Sequence, residues 1–224
     1  KKSKIRGQIS MGMLCSEKEL ALAEDSPGIM ILPHGLPLGK PVFEALNLQD
    51  FQIEIGLTPN RPDCLSVVGV AREVAAMCDR RLKLPNAPVS ESGGAIEDKT
   101  SVTIEDAEYC PRYAARMIEG VKIGPSPDWM VRRLEAVGMR SINNVVDVTN
   151  YVMMELGHPL HAFDFNRLRD KRIVVKRAKA CDKFTTLDDQ ERILRDDTLM
   201  ICDGKGPVAI AGVMGGLDSE VGEQ

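Results

Sequence analysis

Little in this sequence invites a metal. Its 224 residues hold three histidines, and the six cysteines fall at 15, 64, 78, 110, 181 and 202. The closest two are fourteen positions apart, so no CxxC pair exists and a structural zinc site has no scaffold. Scattered, unpaired cysteines suit a reducing compartment, and we expect a cytoplasmic protein. No apolar run approaches the ~20 residues that span a bilayer, and no signal-peptide pattern opens the chain. No membrane partner is expected. Charge of one sign is also lacking: the formal net charge is −4. Nothing global draws the chain onto a phosphate backbone, and DNA is not an expected partner. Any RNA contact must come from local basic clusters at Lys1, Lys2, Lys4 and Arg6, at Arg80, Arg81 and Lys83, at Arg132 and Arg133, and along KRIVVKRAK from Lys171. Most such clusters are solvated faces. Aromatics are scarce at 4%, while eleven methionines suggest adaptable packing more than a sharply shaped apolar pocket.

What is present is an ordinary globular composition, 43% hydrophobic and 28% charged. Ser16 with Glu19 forms a capping-box pattern ahead of Leu20 and Leu22, which predicts a helix. PHGLPLGKPVFEAL is a punctuated loop leading to a short helix near residue 42. Phe51, Ile53, Ile55 and Leu57 alternate with polar residues and predict a half-buried strand ended by Pro59 and Pro62. Asp63 or Ser66 then caps a helix running to about Asp79. PNAPVSESGGAIEDKT has the composition of a linker. Beyond it, SVTIED and YAARMIEGVKI predict strands. SPDWMVRRLEAVG predicts a helix with Ser126 as cap, Pro127 in its first turn and Gly138 past its end. NNVVDVTNYVMMEL carries apolar residues at helical spacing and is closed by Gly157. RIVVKRA, a hairpin FTTLDDQERIL turning at Asp188 and Asp189, TLMICDG and a closing strand AIAGVMGG follow. Helices followed by many short strands predict an α+β fold, not a parallel βαβ sheet. No internal repeat is found.

The histidine segment GHPLHAFDFN raises three chemical readings. For a metal site, Pro159 disfavours a helix, so His158 and His161 do not share a face, and no third ligand is near in sequence. For nucleophilic catalysis no GxSxG elbow marks a serine, and the glycine clusters lack the GK[ST] of a phosphate loop. The third reading is a pocket wall: one imidazole, His161, aimed inward, with Leu160 and Phe163 as anchors and Thr149 and Asn150 on the same side. Ala211, Gly212 and Gly215 would let a ligand approach the backbone of the closing strand. Plain alternatives stand beside each: Asn150 bonded within its own helix, His161 as a core histidine, the glycines as a bulge.

LTPNRPDCLSVVGVAREVAAM, NNVVDVTNYVMMELGHPLHAFD and AIAGVMGG resemble the β subunit of bacterial phenylalanyl-tRNA synthetases, and IRGQISMGMLCSEKELAL resembles the end of its tRNA-binding OB-fold and the segment after it. The resemblance covers nearly the whole chain. It implies an OB-fold remnant at residues 1–12, the returning half of a small α+β N-terminal domain at 13–85, a linker at 86–100, and at 101–224 a larger α+β editing domain, mainly antiparallel and truncated at its C-terminal end. It implies hydrolysis of tyrosine wrongly attached to tRNA(Phe), with His161 as the catalytic or orienting residue and Thr149, Asn150, Gly212 and Gly215 binding substrate. No metal is assigned, and His158 has no role. A glutamate that reads the tyrosine hydroxyl and a threonine–alanine segment are expected beyond Gln224. The aminoacylation site is absent, so the chain is expected to be a fragment without a cofactor of its own. ATP and Mg2+ serve the intact enzyme, an α2β2 tetramer with an α subunit. The alternative is a non-catalytic tRNA-binding or subunit-docking module, working through the basic clusters at 80–83 and 171–179.

Overall fold

A computed structural model describes residues 3–217 and Val221; Lys1 and Lys2 of the first basic cluster and the polar residues 218–220 and 222–224 lie outside the described residues. The chain divides into two compact units, Lys1–Ile53 and Glu54–Gln224.

In the first unit, strands β1 (Ser3–Ile5) and β2 (Gln8–Ser10) form an antiparallel hairpin. Its turn residues Arg6 and Gly7 both have positive φ, 48° and 84°, the backbone twist that two-residue hairpin loops favour. The capping box forms, with Ser16 N–H donating to Glu19 (2.8 Å) and Glu19 N–H to Ser16 Oγ (3.2 Å). No helix follows it. Ala21 takes φ 55°, a left-handed conformation that ends the segment after one turn. Helix α1 is the short one expected, Val42–Ala45.

Phe51–Leu57 forms no strand, contrary to its alternating pattern. Phe51 and Ile53 are 94% and 79% exposed, and the segment has no ladder partner among the described residues.

In the second unit a 3-10 turn (Pro62–Cys64) leads into α2 (Val67–Met77). Ser66, not Asp63, is the cap, its Oγ accepting from Gly69 N–H at 3.0 Å. Strand β3 is Ser101–Ile104. The second expected strand, YAARMIEGVKI, is irregular. Ile118 and Val121 are exposed, and the carbonyls of Lys122 and Gly124 accept from Asn144 instead of from a ladder.

Helices α3 (Asp128–Ala136) and α4 (Asn144–Leu156) follow, and both α2 and α3 pack on α4. Residues 54–85 are thereby tied to the same unit as the later strands. Pro127, not Ser126, occupies the position before α3, because the Ser126 hydroxyl is used elsewhere. It donates to Asp147, which also accepts from the Ser141 hydroxyl (2.5 Å) and Ile142 N–H (2.9 Å) and is fully buried. Burial works to raise the Asp147 pKa, but these three donors outweigh it and hold the carboxyl below its usual value. The buried charge thus fixes the start of α3 and the loop before α4 to one point.

Strands β4 (Arg172–Arg177), β5 (Lys183–Thr185), β6 (Glu191–Ile193), β7 (Leu199–Cys202), β8 (Pro207–Ile210) and β9 (Met214–Gly215) complete the unit. The main sheet runs β3-β4-β7-β8-β9, with β3–β4 parallel and every other pair antiparallel. The fold is α+β with a mainly antiparallel sheet. Ile173 and Val175 pack with Ile201, Val208 and Ala209 on one side, while Val174 joins Met200, Cys202 and Phe184 on the other. A strand covered on both faces explains the unbroken IVV of β4. β5 and β6 form the expected separate hairpin, with Asp189 at φ 57° in its turn. No helix among the described residues is long and apolar enough to cross a membrane.

Candidate functional site

Gly157 ends α4 in the left-handed conformation, φ 81°, and turns the chain out of the helix. Pro159 keeps the next residues extended, and His161 follows. Its imidazole meets Phe163 edge to face, with centroids 4.6 Å apart. Its other neighbour is the backbone of β9. A Cβ placed on Gly215 would lie 2.4 Å from His161 Cε1, 2.7 Å from Nε2 and 3.0 Å from Leu187 Cδ1. The ring therefore fills the space a side chain at 215 would need. Phe163 in turn packs against the Ile173–Val175–Ile201 core. Leu160, expected as a second anchor, is 49% exposed, and Phe163 is the residue that packs on the core.

The outer edge of His161 is open to solvent, while the side facing β9 and Phe163 is crowded. That partial burial penalises the imidazolium and lowers the pKa below its ordinary value of about 6.5. The shift favours the neutral ring, the form that can accept a proton. His158 is exposed.

The other residues singled out from the sequence are placed differently. Thr149 is half-buried on α4, and its hydroxyl donates to the Val146 carbonyl at 2.7 Å, within its own helix. Asn150 is half-buried beside it. The stretch AIAGVMGG is not one closing strand but a hairpin of β8 and β9. Gly212 lies in its turn at φ +70°, a backbone conformation that favours glycine, and an added Cβ there would meet open space. Gly215 and Gly216 are buried.

TPNRPDC, read from sequence as a corner that holds the fold, contains an ion cluster that went unpredicted. Arg61 reaches Asp63 through Nε (3.0 Å) and Nη2 (2.8 Å), and the same Nη2 lies 2.7 Å from Glu73 on α2. The arginine two residues before the aspartate was the available signal. Hydrogen bonds from Arg61 hold the Asp63 carboxyl at about 2, well below its usual range. Ligand atoms of Asp63, Cys64 and Glu73 lie within 4.8 Å of one another. The Arg61 guanidinium already supplies their positive charge, so this group does not fit a magnesium site. Nor does any glycine-rich turn among the described residues lead into a helix that could cradle the phosphates of ATP. The residues present suit neither group.

The model of the B3/4 domain matches residues 109–224, over half of the sequence, and the chain belongs to that family. It is also similar over almost its whole length to phenylalanine–tRNA ligase beta subunits. It is 67% identical to that of Syntrophotalea carbinolica over 99% of the chain, and 62% identical to that of Geobacter metallireducens over 100%. With that of Geobacillus kaustophilus the identity is 50% over 99% of the chain. The chain spans about 28% of the length of these curated relatives. The family resemblance read from the motifs is borne out.

Proposed function

We propose that this chain is the part of a phenylalanine–tRNA ligase beta subunit that hydrolyses tyrosine wrongly esterified to tRNA(Phe). The observation that carries the proposal is the neutral imidazole of His161 seated on the bare backbone of Gly215, in a chain so similar to those subunits. Phenylalanine and tyrosine differ by one hydroxyl, which a hydrophobic pocket rejects by only about 100-fold. A second, hydrolytic site restores the discrimination; this logic is general to aminoacyl-tRNA synthetases as a class.

In the reaction a water oxygen adds to the ester carbonyl and the bond to the ribose oxygen breaks, releasing tyrosine and a free tRNA terminus. His161 orients that water or the ester, and as a neutral base it can take the proton the water loses. Thr149, Asn150, Gly212 and Gly215 form the surrounding substrate site in this proposal. Residues 1–12, 13–85, 86–100 and 101–224 correspond to the OB-fold remnant, N-terminal subdomain, linker and editing domain. Charging with ATP and Mg2+, and the pairing with an α subunit in an α2β2 enzyme, belong to the whole ligase, in the cytoplasm.

His161→Ala in a full-length ligase carrying this segment tests the assignment. Deacylation of preformed tyrosyl-tRNA(Phe) should fall by about 100-fold or more, the usual worth of a positioned acid–base group. Phenylalanine charging should stay within about twofold. Equal loss of both activities would remove His161 from the site. The exposed cations Arg80, Arg81 and Lys83 favour one second reading, a non-catalytic tRNA-binding module. Salt-dependent tRNA binding with no hydrolysis by the full-length ligase would establish it.

A further inference from the structure

The imidazole of His161 is held by packing, and part of its surroundings comes from a turn outside the main sheet. His161 Cε1 and Leu187 Cδ1 lie 2.4 Å and 3.0 Å from one point, the position that a Cβ on Gly215 would take. Leu187 belongs to the turn between β5 and β6, the separate hairpin. The backbone joins the same two elements. Leu187 N–H donates to the Gly215 carbonyl at 3.1 Å, and Thr186 pairs with Gly216 as an antiparallel bridge. The turn is thus bonded to the strand under the imidazole and supplies a side chain to the same space.

A triangle of side chains ties this turn. The Thr186 hydroxyl donates to Asp188 Oδ1, Arg192 Nε donates to the Thr186 hydroxyl oxygen at 3.1 Å, and Arg192 Nη2 reaches Asp188 Oδ2 at 2.7 Å. Backbone bonds close the loop: Thr186 N–H donates to the Gln190 carbonyl at 3.1 Å and Asp189 N–H to the Thr186 carbonyl at 3.0 Å. Thr186 is fully buried. The Arg192 and Asp188 side chains are 45% and 40% exposed, and an ion pair so open to water contributes little by itself. Its weight comes from the buried hydroxyl that both groups share, because each member of the triangle orients the other two. The Thr186 hydroxyl foremost, with the Arg192 charge behind it, holds the Asp188 carboxyl below its usual value against the opposing effect of burial. Two strands of three residues make a marginal hairpin when isolated, so the triangle and the bonds to β9 fix its form.

We propose that Thr186, Asp188 and Arg192 are positioning residues for the His161 reaction, fixing the turn that sets Leu187 and Gly215 at the imidazole. The proposal rests on the reading of His161 as the hydrolytic group. Misplacement by about 1 Å costs about 100-fold in rate, so loosening the turn by about half as much should cost about tenfold. Thr186→Val keeps the shape of the side chain and removes the hydroxyl, while Thr186→Ser keeps the hydroxyl. In a full-length ligase carrying this segment, Thr186→Val should lower kcat for deacylation of preformed tyrosyl-tRNA(Phe) about tenfold, with KM within about twofold. Thr186→Ser should restore it. Lys183→Gln breaks the pair with Glu191 in the same hairpin and should leave kcat unchanged. Asp188→Ala opens the triangle from its exposed side and replaces Thr186→Val if a melting curve shows that the latter does not fold. The chain has three histidines, so NMR can follow each ring Cε1–H signal separately. Opening the triangle should move the His161 signal and leave those of His34 and His158 in place. An unmoved His161 signal would overturn the proposal. So would unchanged kcat in a ligase that His161→Ala impairs, or a loss in Lys183→Gln equal to that in Thr186→Val. If His161→Ala leaves hydrolysis intact, the hydrolytic reading fails, and the NMR signal alone decides whether the triangle places the ring.

Discussion

Replacing Gly215 by alanine is the sharpest probe of the His161 contact. The added Cβ would lie 2.4 Å from Cε1 of the imidazole, and ordinary contact begins near 3.4 Å. The ring must therefore retreat by about 1 Å, and misplacement of a catalytic group by that much costs about 100-fold in rate. The stability cost should sit at the low end of the 1–3 kcal/mol typical of overpacking. The reason is that the outer edge of His161 is open to solvent, so the ring can swing outward without disturbing the core. About 1 kcal/mol corresponds to a melting shift of about 2–4 °C in a domain of this size. The assay is deacylation of preformed tyrosyl-tRNA(Phe) by a full-length ligase carrying this segment, beside a melting curve of the isolated chain. Adding His161→Ala to Gly215→Ala removes the clash, so the melting temperature should recover while hydrolysis stays low. Their coupling is read from the double-mutant cycle. Unchanged hydrolysis in Gly215→Ala would refute the reasoning, because the contact would then have no part in the chemistry.

Three further outcomes are expected. Deacylation should hold level from neutral pH upward and decline in acid only below the ordinary histidine value of about 6.5, since burial lowers the His161 pKa; a decline that begins well above it would contradict a neutral imidazole. Asp147→Asn should destabilise the chain by about 1–3 kcal/mol in chemical denaturation, because an amide nitrogen would face hydroxyl and N–H donors it cannot accept from. In the unsubstituted chain the stability due to Asp147 is present above its unfolded pKa of about 3.9. It is lost as pH falls through the lower folded value, so the difference between the two proteins should narrow below about pH 4. Gly69→Ala should be the most damaging small change, about 3 kcal/mol or loss of folding, since its Cβ would fall 1.9 Å from the Asp63 carbonyl oxygen. A normal melting curve for that variant would show that the 3-10 turn is not pressed against α2.

The sequence was legible where one residue settles local geometry by itself. Ser66 at the start of α2, Gly157 at the end of α4 and the Asp188–Asp189 hairpin act within a few positions of themselves and stand where their patterns put them. Patterns that need a distant partner were less reliable. Alternation at Phe51–Leu57, and the strand-like composition of YAARMIEGVKI, signal a strand only if another strand lies alongside, and none does among the described residues. The Ser16–Glu19 box formed its own bonds yet could not carry a helix past Ala21, since capping fixes a first turn and not the ones after it. Ser126 carries the right residue type for a cap, but a buried carboxylate 21 residues later claims its hydroxyl. No local pattern announces that.

The same distinction governs the site. Gly215 was marked from sequence as a place where a ligand could approach the backbone, and the imidazole of His161 lies against it. Two glycines in succession then have opposite tasks, because side chains along a strand alternate between its faces. Gly215 leaves room for His161, and Gly216 for the Phe184 ring and the Val208 carbonyl oxygen. The end of β9 thus lies between the imidazole and the buried Phe184 ring. A bulky residue at either position would crowd one side and spare the other. Loss of hydrolysis from a change at Gly215, and loss of stability from one at Gly216, is what that placement requires.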